Sequence, residues 1–392
     1  MMDIKLASRV EQLPPYLFAR ISELIAQKRS EGVDVISLGI GDPDLPTPQH
    51  ILDSLIEGVG KPEHHRYPES DGLPELRAAI ARWYKKRHDV DLDRDTEIVP
   101  LIGSKEGIGH LPLCLLDTGD VSLITDPGYP VYEIGTMFAG GVNVRLPLYE
   151  QNGWLPDLSQ ISAEDANRAK ILWLNYPNNP TGAVADLGFF ERAIEWASEN
   201  EVVIAHDLAY ADVTFDGYVA PSIMEVQGAR DVAIEFNSLS KTFNMTGWRV
   251  GMAVGNSKVI DALTRIKTNL DSGIPQAIQE MAITALDDPR DSIEAHNDIY
   301  TSRRDRTVAV LRELGLTLDV PAASLYVWAK LPDGESSSAD YAGRLIEETG
   351  VVVTPGASYG EFGEGYIRIS LTTPDDKLDE ALRRLREFAM GS

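Results

Sequence analysis

A chain of 392 residues is too long for one simple core and suits a large α/β unit with a smaller companion. Its 61 acidic against 36 basic residues leave a net charge of −25, which disfavours both a nucleic-acid face and an anionic membrane surface. No apolar run reaches the roughly eighteen residues of a membrane span, the start Met1-Met2-Asp3-Ile4-Lys5 lacks a secretion pattern, and one cysteine excludes an internal disulfide, so a cytoplasmic location is expected.

No internal repeat or low-complexity segment interrupts the chain. From about residue 45 to 285, short β-rich runs alternate with helical ones, the pattern of a mostly parallel sheet covered by helices on both sides. A helix over 73–88 places Leu76, Ile80, Trp83 and Tyr84 on one face. Next, Gly103-Ser104-Lys105 precedes a helical run over 106–116, so backbone N–H groups there make an anion site. Within that run Cys114 reads as a buried packing residue. A strand over 121–125 leads to Asp126-Pro127-Gly128-Tyr129-Pro130, where Tyr129 by itself is a turn tyrosine. Another strand, 171–175, leads to Asn178-Asn179-Pro180-Thr181-Gly182, by itself a turn.

Val202-Val203-Ile204-Ala205-His206 reads as a buried strand ending in Asp207, with Tyr210 three residues on. Two further strands, 232–236 and 250–254, flank Ser238-Leu239-Ser240-Lys241, and Arg249 stands eight residues beyond the lysine. The last hundred residues differ. Strands at 325–328, 351–353 and 366–370 suggest a smaller sheet, and Thr373-Pro374 starts a final helix with Leu378, Leu382 and Leu385 on one face. Alternation sets Tyr366, Arg368 and Ser370 opposite a buried face of Ile367 and Ile369.

A loop between buried strands is a costly place for an idle ammonium. Held by hydroxyls near an arginine, Lys241 has a depressed pKa, and its neutral amine can form a Schiff base with an aldehyde, here pyridoxal phosphate. Asp207 can keep a pyridinium nitrogen protonated, and the Tyr210 phenol can hydrogen-bond the ring oxygen. In open sheets the ligand lies beyond the strands' C-terminal ends, where Asp126, Asn179, Asp207 and Lys241 fall.

Asn179-Pro180-Thr181-Gly182, Asp207 with Tyr210, Ser238-x-Ser240-Lys241 and Arg249 succeed one another in the order and spacing of the fold-type I pyridoxal-phosphate aminotransferases, which the chain resembles from 14–18 to 366–370. The resemblance implies a large α/β domain over 46–285, with a mostly parallel sheet between helices, and a smaller α+β domain from 1–45 and 286–392. It implies that Lys241 is both the Schiff-base lysine and the general base. Asp207 would pair with the pyridinium nitrogen, and Asn179 and Tyr210 would hydrogen-bond the ring oxygen. Phosphate would fall to Ser104 and Lys105 at the helix start, to Ser238, Ser240 and Arg249, and to Tyr67 from a partner subunit. Tyr129 would stack on the ring. Arg368, closed off by the backbone of Gly41, would grip the substrate carboxylate. The resemblance also implies a homodimer with shared active sites; no metal is called for.

Within this family, Leu38-Gly39-Ile40-Gly41-Asp42, 15–19, 222–225, 352–356 and 363–368 are most similar to the LL-diaminopimelate aminotransferase branch. That resemblance implies amino transfer between LL-2,6-diaminopimelate and 2-oxoglutarate, on the route to lysine and peptidoglycan. The far end of so long a substrate would meet Tyr16, Lys105, Ser272, and Glu69 or Asp71 of the partner, with Tyr129 and Asn179 nearer the ring. No arginine occupies 268–272, where an aspartate-specific relative supplies one. A broader aspartate, alanine or aromatic aminotransferase is the alternative, then a pyridoxal-phosphate β-lyase or regulator. A regulator would carry a basic DNA-binding module, and none is present.

Overall fold

The computed structural model describes residues 4–14, 17–288 and 290–391. Its strands, in chain order, are β1 Ile36–Ser37, β2 Ile98–Leu101, β3 Val121–Asp126, β4 Val142–Pro147, β5 Ala169–Asn175, β6 Val203–Asp207, β7 Ala233–Ser238, β8 Gly251–Gly255, β9 Tyr326–Lys330, β10 Val351–Val352, β11 Thr354–Pro355 and β12 Tyr366–Ser370. Seven of them form one sheet in the order β2-β8-β7-β6-β5-β3-β4. The pairs from β7 to β4 are parallel, whereas β8 is antiparallel to both β7 and β2. The reversal has a local cause: the chain between Ser238 and Gly251 makes only short helical turns, and a parallel return needs a long crossover.

Apart from the edge strand β4, both faces of this sheet are buried, which is why its strands read as near-continuous apolar runs. Leu172, Leu174 and Ile204 pack with Phe190 and Ala193 of the helix Leu187–Asn200 and with Leu76, Ile80, Trp83 and Tyr84 of the helix Pro74–His88. The alternate residues Trp173, Ala205, Ile234 and Phe236 pack on the other side with Ile108 and Leu111 of the helix Ser104–Leu115 and Leu263 of the helix Ser257–Leu270.

A second core gathers the ends of the chain. β11, β12 and β9 make an antiparallel sheet, and β1 pairs in parallel with β10. Ile36 and Leu38 pack with Ile367, Ile369 and the last helix's Leu378, Leu382 and Leu385. Tyr210, Val213 and Phe215, just past β6, belong to the same cluster, so the two cores are not separated by one cut in sequence. The expected contrast between the faces of β12 is absent: Arg368 and Ser370 are as buried as Ile367 and Ile369. The N-terminal segment covers them, since Ser370 N donates to Leu38 O and Arg368 Nη2 to Gly39 O. Among the described residues no helix is long and apolar enough to cross a membrane.

Candidate active site

Strand register builds the site. Asn175 stands opposite Asp207, Asp207 opposite Phe236, Ser238 opposite Gly251, and Gly251 opposite Leu101. The C-terminal ends of β2, β5, β6 and β7 therefore finish along one edge. Because β8 runs the other way, its start lies at that edge too. This brings Arg249 to the beginning of the helix Ser104–Leu115, where a Cβ on Gly103 would come within 2.4 Å of Arg249 Nη2. A cavity of about 470 Å³ opens here, lined by Gly41, Asp42, Ser104, Lys105, Tyr129, Asn179, Asp207, Ala209, Tyr210, Ser238, Ser240, Lys241, Thr246, Gly247, Arg249 and Tyr326.

Lys241 sits on a helical turn, Leu239–Thr242, in place of the expected loop. The serine of the motif explains the turn: Ser238 caps it by accepting from Ser240 N at 3.2 Å. Lys241 Nζ donates to Gly41 O at 2.9 Å. Burial holds its pKa below the ordinary lysine value, and the charges of Arg249 and Arg368 push the same way against Tyr326 and Asp42. The expected depression is there, but burial is its main cause, and neither serine hydroxyl bonds the amine among the hydrogen bonds of the described residues.

Asp207 ends β6 with its carboxylate buried, which raises its pKa; hydrogen bonds from Tyr132 and Ala209 oppose the rise. Tyr132 Oη donates to Oδ2 at 2.8 Å and Ala209 N to Oδ1 at 3.3 Å. The Tyr132 ring stacks on Trp173 at 4.7 Å and meets Tyr129 edge-on at 5.7 Å. Sequence reasoning missed Tyr132, although it lies only three residues past Tyr129.

At the other end Arg368 is fully buried. Its Nη1 donates to Asn179 Oδ1 at 2.8 Å and its Nη2 to Gly39 O at 2.7 Å, while its guanidinium lies 3.9 Å from the centre of the Tyr326 ring. Tyr326 Oη is 3.0 Å from Tyr210 Oη. It also closes on Gly41, where a Cβ would lie 2.0 Å from the same hydroxyl. Tyr326 is the second residue missed, hidden in a run read only as a strand. Asn175 joins the two ends by donating to Asp207 O at 2.7 Å and accepting from Asn179 N at 2.8 Å.

Several residues fall elsewhere than expected. Arg249 is exposed in spite of its apolar neighbours, because its left-handed backbone (φ 54°) after the turn Thr246–Trp248 points it out to the cavity, with Nη1 donating to Thr246 O. Asp126 is not at the cavity; its carboxylate accepts from Glu361 N and Phe362 N and pairs with Arg145. Tyr67, 89% exposed, Glu69 and Ser272 do not line the cavity within this chain, and Asp71 pairs with Arg77 at 2.8 Å. Tyr16 lies outside the described residues. Cys114 is half-buried where full burial was expected, and burial lifts its thiol to about 12, which disfavours the nucleophilic thiolate.

Beneath the helix start lies a cluster that sequence reasoning did not single out. Glu106, His110 and Asp271 stand close enough to share an ion, but the buried ammonium of Lys267 already serves as their cation, 2.9 Å from Glu106 and 2.7 Å from Asp271.

A mostly parallel sheet covered on both faces, with a half-buried lysine and a buried carboxylate and arginine converging beyond its strand ends, is the frame of an aminotransferase. Residues 33–385 match the aminotransferase class I and II family, and the chain belongs to it. The LL-diaminopimelate aminotransferase of Dehalococcoides mccartyi is 55% identical over 385 residues, covering 98% of this chain and 99% of that one. That of Desulforudis audaxviator is 54% identical, covering 97% of each. Among solved structures, substrate-bound BacF from Bacillus subtilis superposes with a TM-score of 0.94 at 36% identity, covering 99% of this chain and 98% of that one.

Proposed function

We propose that this aminotransferase exchanges an amino group between LL-2,6-diaminopimelate and 2-oxoglutarate, using pyridoxal phosphate held in the strand-end cavity. The observation that carries the reading is the meeting of an amine of lowered pKa, a buried carboxylate and an anion cradle on one cavity, in a chain so similar to enzymes named for that substrate. The donor set fits the cofactor. Backbone N–H groups at Ser104, the hydroxyls of Ser238 and Ser240, and Arg249 suit a phosphate at one end, and Asp207 suits a protonated ring nitrogen at the other. Bound there, pyridoxal phosphate supplies a carbonyl carbon for the amino group and a ring that takes up the electrons released at the substrate α-carbon.

Lys241 would hold the cofactor covalently and would be the base that accepts the substrate α-proton, a role its lowered pKa suits. Asp207 holds the ring nitrogen's proton in place. Asn179 gives its oxygen to Arg368, which leaves its amide N–H to hydrogen-bond the ring oxygen, as the Tyr210 phenol also would. Tyr129 covers the ring. Arg368 takes the α-carboxylate in a fork geometry, with the Gly41 backbone closing that end. Tyr67 of a second copy completes the phosphate site, in a homodimer of the cytoplasm. Tyr16, Lys105, Ser272 and the partner's acidic loop meet the far end of the substrate; since Asp71 is already paired with Arg77, Glu69 is the better acid. Residues 46–285 serve as the cofactor domain, and 1–45 with 286–392 as the smaller one that closes over the substrate.

The test compares kcat/KM for LL-diaminopimelate, aspartate, alanine and tyrosine, with 2-oxoglutarate as acceptor and glutamate as the product read. LL-diaminopimelate should lead. Faster turnover of a short or aromatic donor assigns the broader activity, and pyruvate with ammonia in place of glutamate assigns a lyase.

A further inference from the structure

His206 and Asp207 are neighbours on β6, so their side chains leave opposite faces of the sheet. Asp207 faces the cavity beside Tyr132, whereas His206 is completely buried on the other face, 4.8 Å from the Phe190 ring. Its Nδ1 is 2.8 Å from Glu235 Oε2, and its Nε2 is 3.2 Å from the carbonyl oxygen of Tyr176. Both partners are acceptors. Both ring nitrogens are therefore placed to donate, and an imidazole that donates twice is an imidazolium.

Glu235 stands in register opposite His206 on β7. Its Oε1 accepts from Tyr84 Oη at 2.8 Å and Ser222 Oγ at 2.7 Å; its Oε2 accepts from His206 and from Ile223 N at 3.0 Å. Four donors on two oxygens are the full complement of an ionised carboxylate. The titratable groups around the pair are Tyr84 and His88 of the helix Pro74–His88, with Glu225 on His88 and Asp212 nearby; Asp207 itself faces Tyr132 and Tyr210. A buried ion pair seldom adds stability over apolar residues of equal volume, so its presence calls for another reason.

We propose that His206 donates from both ring nitrogens, as an imidazolium neutralised by Glu235, and that it acts as a positioning residue by keeping the adjacent Asp207 ionised from across the sheet. Burial pushes the Asp207 carboxyl up, and the hydrogen bonds of Tyr132 and Ala209 and then the charge on His206 offset part of that rise. The consequence for catalysis rests on the cofactor reading above; the charge state of His206 does not.

Neutron diffraction from crystals of the cofactor-loaded enzyme at about pH 8, where a free histidine is neutral, should show deuterium on both ring nitrogens of His206. A bare ring nitrogen overturns the proposal. In solution, the visible absorbance of the bound cofactor titrates with pH. In His206→Gln its midpoint should rise by about half a unit or more, because a less firmly protonated ring leaves the Lys241 nitrogen more basic. Single-turnover rate should fall about tenfold with the donor KM little changed. A variant with an unmoved midpoint makes the pair structural only. Glu235→Gln, which deprives His206 of its counter-charge and so of one proton, should move the midpoint the same way and decides the matter if His206→Gln does not fold. A protein with no visible band at all would refute the cofactor reading and leave the neutron result intact.

Discussion

The two ends of the cavity are held by different forces. At the end proposed for phosphate and ring, Ser104, Asn179, Asp207 and Ser238 each end a strand of one sheet or lie just beyond it, so hydrogen-bonded register sets their spacing. At the carboxylate end, Arg368 of β12 reaches Asn179 beyond β5 and Gly39 of the N-terminal segment, and Tyr326 of β9 reaches Tyr210 beyond β6. Those are side-chain contacts between elements of different sheets with no ladder joining them. The first end is fixed by the ladder of one sheet; the second depends on how two cores meet. Cofactor retention and substrate grip should therefore fail separately.

Lys241→Ala is the harshest test of the ladder-built end. The visible band and turnover should both vanish while circular dichroism stays native, since the amine is lost and the capped turn is not. Turnover at a normal rate would sink the assignment of Lys241. Asp207→Ala should keep the cofactor, through its phosphate, yet slow the single-turnover rate by orders of magnitude. A drop below about tenfold, roughly 1.4 kcal/mol, would leave Asp207 a structural role.

Arg368→Gln attacks the other end. It removes a buried charge that bridges the two cores, so kcat/KM for every amino donor should fall about a hundredfold, some 2–3 kcal/mol, with the visible band preserved. Loss of the band along with the substrate would show that the two ends are one mechanical unit and break the comparison.

The smallest effect lies beneath the helix start, where charge and not register holds the structure. Glu106 is pushed up to about 7 by burial and by Asp271, against Lys267. A carboxyl with a folded pKa above its unfolded 4.5 binds its proton better when folded. Its stabilisation is thus full below the unfolded value and is lost as pH climbs through about 7. Glu106→Gln should flatten the fall in Tm between about pH 5 and 8, by an amount worth about 1 kcal/mol after solvent screening. An unchanged slope would place the titration elsewhere.

Most of the cofactor end was legible in the sequence because its signals are local. An apolar run marks a strand, and the residues at its end or just past it land at the strand-end edge, so Asn179, Asp207, Ser238 and Lys241 all reach the cavity. The same reasoning misplaced Asp126, whose strand end is covered by the 360–362 segment, and it did not find Tyr132 or Tyr326. Tyr132 is 75 residues from the carboxylate it serves, and Tyr326 is 116 from Tyr210.

The chain by itself determined the alternation of strands and helices, the place of Lys241 just past a strand end and the family, since each rests on residue type and short spacing. Only the tertiary structure decided that β8 runs backwards, that Arg368 is buried under the N-terminal segment while Arg249 is exposed, and that His206 lies between the Glu235 carboxylate and the Tyr176 carbonyl oxygen. Those outcomes depend on which surfaces meet once the sheet is covered, and a side chain's charge and burial are set by the partners that packing brings to it from distant parts of the chain.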